Sequence, residues 1–314
     1  MRKHRVLTAV VGLALSVAEG GSVRAQQTAD GGVPTHLVVT VEPRKGTSEP
    51  VVNREDVMVY QGHNRDKVTD WLPAQADHAA LELFILLDDG AGLSLGSQLE
   101  EIRNFMDAQP DSTKIGVAYM QNGTARIAQN LTTDHAAAAK SLRLPLGEEG
   151  VNASPYFVLS DLAKRWPDTT ARRAVLMVSD GIDRYYGSGD LQDPYVDAAV
   201  DDALRAGIMV SAIYNPDTGH FGHSYWQTHW GQIYLSEVAD ETGGEAYDIG
   251  YTGPAVSFGP YLNDFSNRLS HQFLLTFLAK PEKKAGWQKI RVTTEVHNVD
   301  LVSAHKVYVS AGAN

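Results

Sequence analysis

Leu83 to Leu87 (LFILL) is an unbroken apolar run between Glu82 and the acid pair Asp88-Asp89. A run this short and this apolar reads as a strand buried on both faces. Three glycines follow within seven residues, Gly90, Gly92 and Gly96, so the chain can turn tightly or approach something closely there. Leu95, Leu99, Ile102 and Met106 then fall on one helical face, and Ser97-Gln98-Leu99-Glu100 has the form of a capping box. The unit is strand, acidic glycine-rich loop, amphipathic helix. Ligands of open α/β sheets bind at the carboxyl ends of such strands, so Asp88 and Asp89 are the first residues to examine for function.

The alternation continues. Lys114 to Met120 and Thr124 to Gln129 predict two strands joined at Asn122-Gly123, a strong hairpin signal. Ala136 to Leu142 predicts a short alanine-rich helix. Ser154-Pro155 opens another, with Ser as N-cap and Pro at the first helical position. Ala174 to Val178 is a second wholly apolar strand, and it too ends in acids, Ser179-Asp180-Gly181-Ile182-Asp183. Asp193-Pro194 starts a helix, Ile208 to Tyr214 forms a strand, and Asn215 to Trp230 reads as a long polar and aromatic loop. A helix around Ile233, Leu235, Val238 and Ala239 stops at Gly243-Gly244. A strand near Glu245 to Ile249 and a helix over roughly Phe258 to His271 complete this part.

Both flanks are β. His36 to Glu42, Asp56 to Tyr60 and Lys67 to Leu72 carry strand signals, the last two joined as a hairpin through Gln61 to Asn64. At the other end, Gln272 to Ala279, Gln288 to Val296 and Ala304 to Val309 do the same. The expected organisation is a polar, flexible stretch over 26–33, an N-terminal β module over 34–78, an α/β domain over 79–271, and a C-terminal β segment over 272–314 packing with the N-terminal module as a small sandwich.

Composition narrows the function classes. Arg2, Lys3 and Arg5 precede an apolar segment from Val6 to Ala18, and Val23-Arg24-Ala25 has small residues where a signal peptidase cuts. Residues 1–25 therefore read as a cleaved signal peptide, too short to span a bilayer comfortably, and the expected location is secreted or periplasmic. Four basic residues (Arg2, Lys3, Arg5, Arg24) and one acid (Glu19) leave with it, taking the net charge from −11 to −14. So acidic a chain, without a large basic cluster, argues against nucleic acid as a partner. After cleavage no apolar stretch approaches membrane-spanning length. The absence of cysteine removes disulfides, thiol nucleophiles and thiolate metal sites.

The apolar strand ending in an acidic glycine-rich loop, the capped helix after residue 150, the strand ending Ser-Asp-Gly and the run LSEVADETGGEAYDI (Leu235 to Ile249) occur in one order. Together they resemble the von Willebrand factor A (vWA) fold, and specifically the secreted acidobacterial proteins described as VWFA-related. NREDVMVYQGHNRDKVTDW (Asn53 to Trp71) and HQFLLTFLAKP (His271 to Pro281) resemble the β segments at the two ends of those proteins. The resemblance implies an α/β fold of vWA or Rossmann-like type: a mostly parallel six-stranded sheet with helices on both faces, antiparallel only at the Thr124 to Gln129 edge.

It also implies a metal-ion-dependent adhesion site of pattern Asp-x-Ser-x-Ser, with a Thr and a further Asp on other loops, holding Mg²⁺ or another divalent cation that an acidic partner group completes. Matched residue by residue, the ligands are Asp88, Ser154 in place of the Thr, and Asp180. The two serines fall on Gly90 and Gly92, which have no donor side chain, so the site is degenerate. Asp89, Ser94 and Asp183 are the nearby oxygens that could help. The competing reading of those three is a solvated acid, a helix cap and a turn-forming Asp, and for Ser154 an N-cap alone.

The stretch NPDTGHFGHSYWQTHW carries His220, His223 and His229 among Tyr225, Trp226 and Trp230. Three imidazoles could hold zinc, but the spacing is not the helical His-Glu-x-x-His pattern. A packed aromatic flap is the plainer reading, and a partner-contact surface the more attractive one. No Gly-x-Ser-x-Gly elbow, P-loop or EF-hand loop is present. The sequence thus points to a secreted, non-enzymatic vWA-type binding protein that recognises a protein or cell-envelope component through Asp88 to Leu93, Ser154, Asp180 to Asp183 and His220 to Trp230. The rival is a metal-dependent hydrolase using the same acidic and histidine-bearing face.

Overall fold

Strand β4 (Leu81–Asp88) is buried at every position, and the α/β part of the molecule is assembled on it. The computed structural model describes residues 31–44, 50–147, 153–187, 192–216, 224–251, 253 and 255–312. The signal-peptide segment, residues 26–30 and the histidines His220 and His223 lie outside the described residues. So does the side chain of Ser94.

β4 pairs in parallel with β5 (Thr113–Gln121) on one side and β7 (Arg172–Ser179) on the other. β6 (Thr124–Thr132) closes one edge antiparallel to β5, and β8 (Ile208–Tyr214) and β9 (Ala246–Tyr247) extend the other in parallel. The order is β6-β5-β4-β7-β8-β9. Because side chains alternate along a strand, Leu83, Ile85 and Leu87 enter one core with α1 (Leu99–Asp107), α2 (His135–Lys140) and α6 (Gly259–Ser270), while Phe84 and Leu86 enter a second with α3 (Pro155–Arg165), α4 (Pro194–Arg205) and α5 (Tyr225–Thr242). Each such side chain stabilises the fold by roughly 1.5–3 kcal/mol when fully buried, and this places the ends of β4 and β7 at the centre of the molecule's upper rim.

The first and last strands among the described residues meet in a second sheet. β1 (Val33–Pro43), β2 (Val57–Gln61), β3 (Asn64–Pro73), β10 (Gln272–Ala279), β11 (Gly286–Thr294), β12 (Val299–Ser303) and β13 (Lys306–Val309) form one antiparallel sheet of order β12-β1-β10-β3-β2-β11-β13. The expected sandwich is thus a single curled sheet. Its two edge strands are consecutive in the chain, and the Ile290 N–H donates to the His305 carbonyl (2.8 Å) where the edges approach. The strand expected over Ala304 to Val309 begins only at Lys306, because at Ala304-His305 the chain leaves β1 and changes partner to β11, and β12 before it is not among the expected strands.

Arginines join the two parts. Arg172, at the start of β7, donates to the Leu269 (3.0 Å) and Ala79 (3.1 Å) carbonyls and to Gln272. Arg268 of α6 meets Glu42 of β1, Glu245 and Asp264. The Arg205 guanidinium stacks over Tyr308 (4.2 Å) and Trp287 (4.9 Å), a favourable cation–π arrangement.

Three local expectations fail for physical reasons. Ser97 does not cap α1: Leu93–Ser97 is a short 3₁₀ helix, and Gln98 at the N-cap position already has helical backbone. The strand expected over Glu245 to Ile249 is only Ala246–Tyr247. The aromatic stretch is not a loop to Trp230, since α5 begins at Tyr225 under a capping box between Ser224 and Gln227. The Gly243 stop is as expected, in the left-handed region (φ 80°) that suits glycine.

Asp66 of β3 gives a stability test. It is buried, and its Oδ2 has no hydrogen-bond partner among the described residues. Burial raises its carboxyl to about 6, with Lys280 opposing. Ionisation therefore costs the native state, and stability falls as pH rises from about 4 through about 6. Asp66→Asn is expected to stabilise the protein by about 1–3 kcal/mol at pH 7.5 and to change little at pH 4, read by urea denaturation at both values.

Candidate functional site

In a parallel sheet every strand ends on the same side, so the loops after β4, β5, β7, β8 and β9 and the starts of α3, α4 and α5 share one rim. Asp88 ends β4. The Gly90 N–H donates to its Oδ1 (2.9 Å), and Ser179 Oγ, at the end of β7, donates to its Oδ2 (2.9 Å). Ser179 Oγ in turn accepts from the Gly181 N–H (3.1 Å). Burial, and after it the neighbouring Asp180, push the Asp88 carboxyl up to about 6. The acids ending the two apolar strands therefore meet.

Asp89 is neither solvated nor turned toward Asp88. It is fully buried and forms a fork with Arg143, Nη1 to Oδ1 at 2.7 Å and Nη2 to Oδ2 at 3.0 Å. The Leu146 N–H also donates to its Oδ1 (3.0 Å), and the Gly147 N–H to its carbonyl (2.8 Å). The segment after α2 is thereby laid across the tip of β4.

Asp180 pairs with Arg184, Nη2 to Oδ2 at 2.6 Å, and accepts from the Ile182 N–H (3.0 Å). Ser154 caps α3 by accepting from the Phe157 N–H, and its hydroxyl donates to Asp183 Oδ2 (2.7 Å). Asp183 Oδ1 accepts from the N–H groups of Tyr185 and Tyr186, both 2.9 Å. Asp183 thus shapes its own turn and also secures Ser154. A cleft lined by Asp88, Gln121, Asn122, Ser154, Val158 and Arg184 lies between these groups.

Two glycines bring α5 against the acid turn. Gly181 has φ +70°, and a Cβ there would sit 2.2 Å from the Gly231 carbonyl oxygen. A Cβ on Gly231 would sit 2.4 Å from the Asp180 carbonyl oxygen. The aromatic start of α5 is thus seated beside Asp180. Tyr225 is 72% and Trp226 64% exposed. A ladder of rings runs inward through His229, Trp230 and Tyr234 to the buried Tyr156, with centroid steps of 6.2, 5.9, 5.9 and 5.9 Å from Tyr225. A second group, Phe157, Tyr185, Tyr186 and Tyr195, packs over the starts of α3 and α4.

The structure brings Asp88 and Ser154 to one cleft with Asp180 beside it and leaves Tyr225 and Trp226 exposed, whereas Arg143 and Arg184 are not among the residues expected from the sequence. The separation of Arg143 from Asp89 hides one pairing. The other had a signal, an arginine four residues after Asp180. Also missed were Leu144, Leu146, Tyr185, Tyr186, Tyr251 and Val256, which with Leu93, Tyr225 and Trp226 are exposed on the rim.

Arg143→Ala is expected to destabilise the protein by about 3 kcal/mol, because it leaves a buried carboxylate without its cation. Adding Asp89→Ala should cost less than the sum of the two single changes. A double-mutant cycle by urea denaturation reads both effects.

No family model and no curated protein sequence matches the chain. Several solved structures are similar to it at low identity. An aerotolerance-related membrane protein from Bacteroides fragilis, solved with multiple mutations to serine, is 17% identical over 60% of this chain and 98% of that one, with a TM-score of 0.42. The VWA domain of SpRpn10 is 13% identical over 59% and 94%, TM-score 0.36. VWA2, an ArnB paralog from Sulfolobus acidocaldarius, is 8% identical over 88% and 76%, TM-score 0.37. What assigns the fold is the molecule's own topology: six strands in the order β6-β5-β4-β7-β8-β9, antiparallel only at the β6 edge, between two helical layers, which is a vWA-like α/β fold.

Proposed function

We propose that this is an exported, non-enzymatic interaction protein that holds a protein or cell-envelope partner against the upper rim of its α/β domain. One observation carries the reading. Among the described residues, twelve large apolar or aromatic side chains are exposed, and nine of them lie on the loops and helix starts of that rim: Leu93, Leu144, Leu146, Tyr185, Tyr186, Tyr225, Trp226, Tyr251 and Val256. Apolar side chains scattered singly need no explanation, but a concentration at one end of a molecule marks an interaction surface. Tyr and Trp are among the side chains that most often dominate binding energy.

The acids support the same use. Asp88, Asp89, Asp180 and Asp183 already accept hydrogen bonds from arginines, hydroxyls or backbone N–H groups, which suits a rigid platform better than a general base. Export is supported by the basic start, the apolar run Val6 to Ala18 and the small residues Val23 and Ala25. No helix among the described residues is long and apolar enough to cross a membrane.

A photo-crosslinking residue placed at Trp226 or Leu93 is expected to trap a discrete product from an envelope fraction, whereas the same residue at Val51, exposed on the β module, should trap none. Tyr225→Ala together with Trp226→Ala should weaken the isolated complex at least about tenfold. Equal trapping at Val51, or an affinity unchanged by the double substitution, would assign the contact to another surface.

A further inference from the structure

The vWA resemblance implies a divalent cation between Asp88, Ser154 and Asp180, and the residues present do not fit one. A hard cation such as Mg²⁺ needs near-octahedral oxygen donors. At the two positions next to Asp88 where hydroxyls would stand, the chain has Gly90 and Gly92. Each Asp88 oxygen already accepts a hydrogen bond, one from the Gly90 N–H and the other from Ser179. The Ser154 hydroxyl is turned to Asp183. No three His, Asp or Glu side chains among the described residues are grouped to hold a metal.

Arg184 stands in their midst. Its Nη2 donates to Asp180 Oδ2 at 2.6 Å, its Nη1 lies 3.4 Å from both Asp180 Oδ1 and the Ile182 carbonyl, and its side chain is 19% exposed. It lines the same cleft as Asp88 and Ser154. Its backbone N–H donates to the Ala153 carbonyl (3.0 Å), so the residue also ties the turn after β7 to the start of α3. A planar guanidinium meets a carboxylate through two parallel donors, and here it brings positive charge to the place where the acids of β4 and β7 converge.

We infer that Arg184 is a tethered cation that takes the place of the divalent ion, so that the rim is assembled, and meets its partner, without metal. This deepens the interaction reading above and rests on it for the partner. The charge balance defines the kind of contact. Arg184 supplies one positive charge against Asp88 and Asp180, where a divalent ion would supply two. The two acids therefore keep a net negative charge and the guanidinium offers no open coordination position, so the site does not draw an acidic group from a partner, and the binding energy falls to the apolar and aromatic rim instead.

Thermal unfolding of the purified protein tests the cation directly, because an ion that binds the native state raises its melting temperature. The melting temperature is expected to be the same in EDTA and in about 5 mM MgCl₂, MnCl₂ or CaCl₂, and titration calorimetry with each metal should show no site. Arg184→Ala should melt several degrees lower in EDTA and recover part of that loss with Mn²⁺, and adding Asp180→Asn should abolish the recovery. Arg184→Lys, which keeps the charge but loses the fork, should lie between, and it carries the comparison if the alanine variant does not fold.

A wild-type protein that takes up one equivalent of metal, lost in Asp180→Asn, would overturn the inference. So would an Arg184→Ala variant with an unaltered melting temperature. Rim crosslinking that persists alongside stoichiometric metal uptake would sink the tethered cation and leave the interaction reading standing. Metal indifference with no rim-specific crosslink would do the reverse.

Discussion

Asp88, Asp89 and Asp180 lie almost dry at the ends of two adjacent strands, and a buried carboxylate without compensation costs several kcal/mol. The upper end of the molecule is arranged around relieving that cost. Backbone amides and Ser179 serve Asp88, the Arg143 fork serves Asp89, and Arg184 serves Asp180. Each solution also positions chain. Arg143 draws the segment carrying Leu144 and Leu146 over the tip of β4, and Asp183, accepting from the amides of Tyr185 and Tyr186, sets the turn that displays those two rings. Compensation of buried charge and display of apolar surface are therefore one structure.

The lower end is organised by the opposite sign of charge. Arginines at the junction, the buried Arg172 and the partly buried Arg268, find carbonyls and carboxylates from both parts of the molecule, and Arg205 is stacked by two rings of the β module. Burial lowers Arg172 to about 10, still well above neutral pH, so it remains a donor to those carbonyls. The curled sheet is consequently fixed to the α/β part away from the rim. The rim is left open, with Tyr225 and Trp226 seated on the start of α5 rather than on a long loop.

The aromatic stretch shows how local pattern misleads. Tyr225 to Trp230 reads as loop because apolar and polar residues are spread around the helix without a stripe, and periodicity is the main cue for a helix. The cue that was present is Ser224 followed three residues later by Gln227, a capping box. At Ser97 the same cue was present and failed, because the preceding residues were drawn into a 3₁₀ turn. A cap motif stabilises by about 1 kcal/mol, so packing against Leu95 and its neighbours readily overrides it.

From the chain alone came the buried strands at Leu83 to Leu87 and Ala174 to Val178, the hairpin at Asn122-Gly123, the caps at Ser154 and Gly243, and the acids at the strand ends. These follow from side-chain burial and backbone geometry over a few consecutive residues, which a sequence displays directly. Only the tertiary structure decided which cation answers which acid, that the terminal strands curl into one sheet, and that apolar side chains from five separate segments gather on one rim. Those outcomes depend on residues far apart in the chain becoming neighbours, and the energy of such a contact belongs to the pair in space rather than to either stretch of sequence.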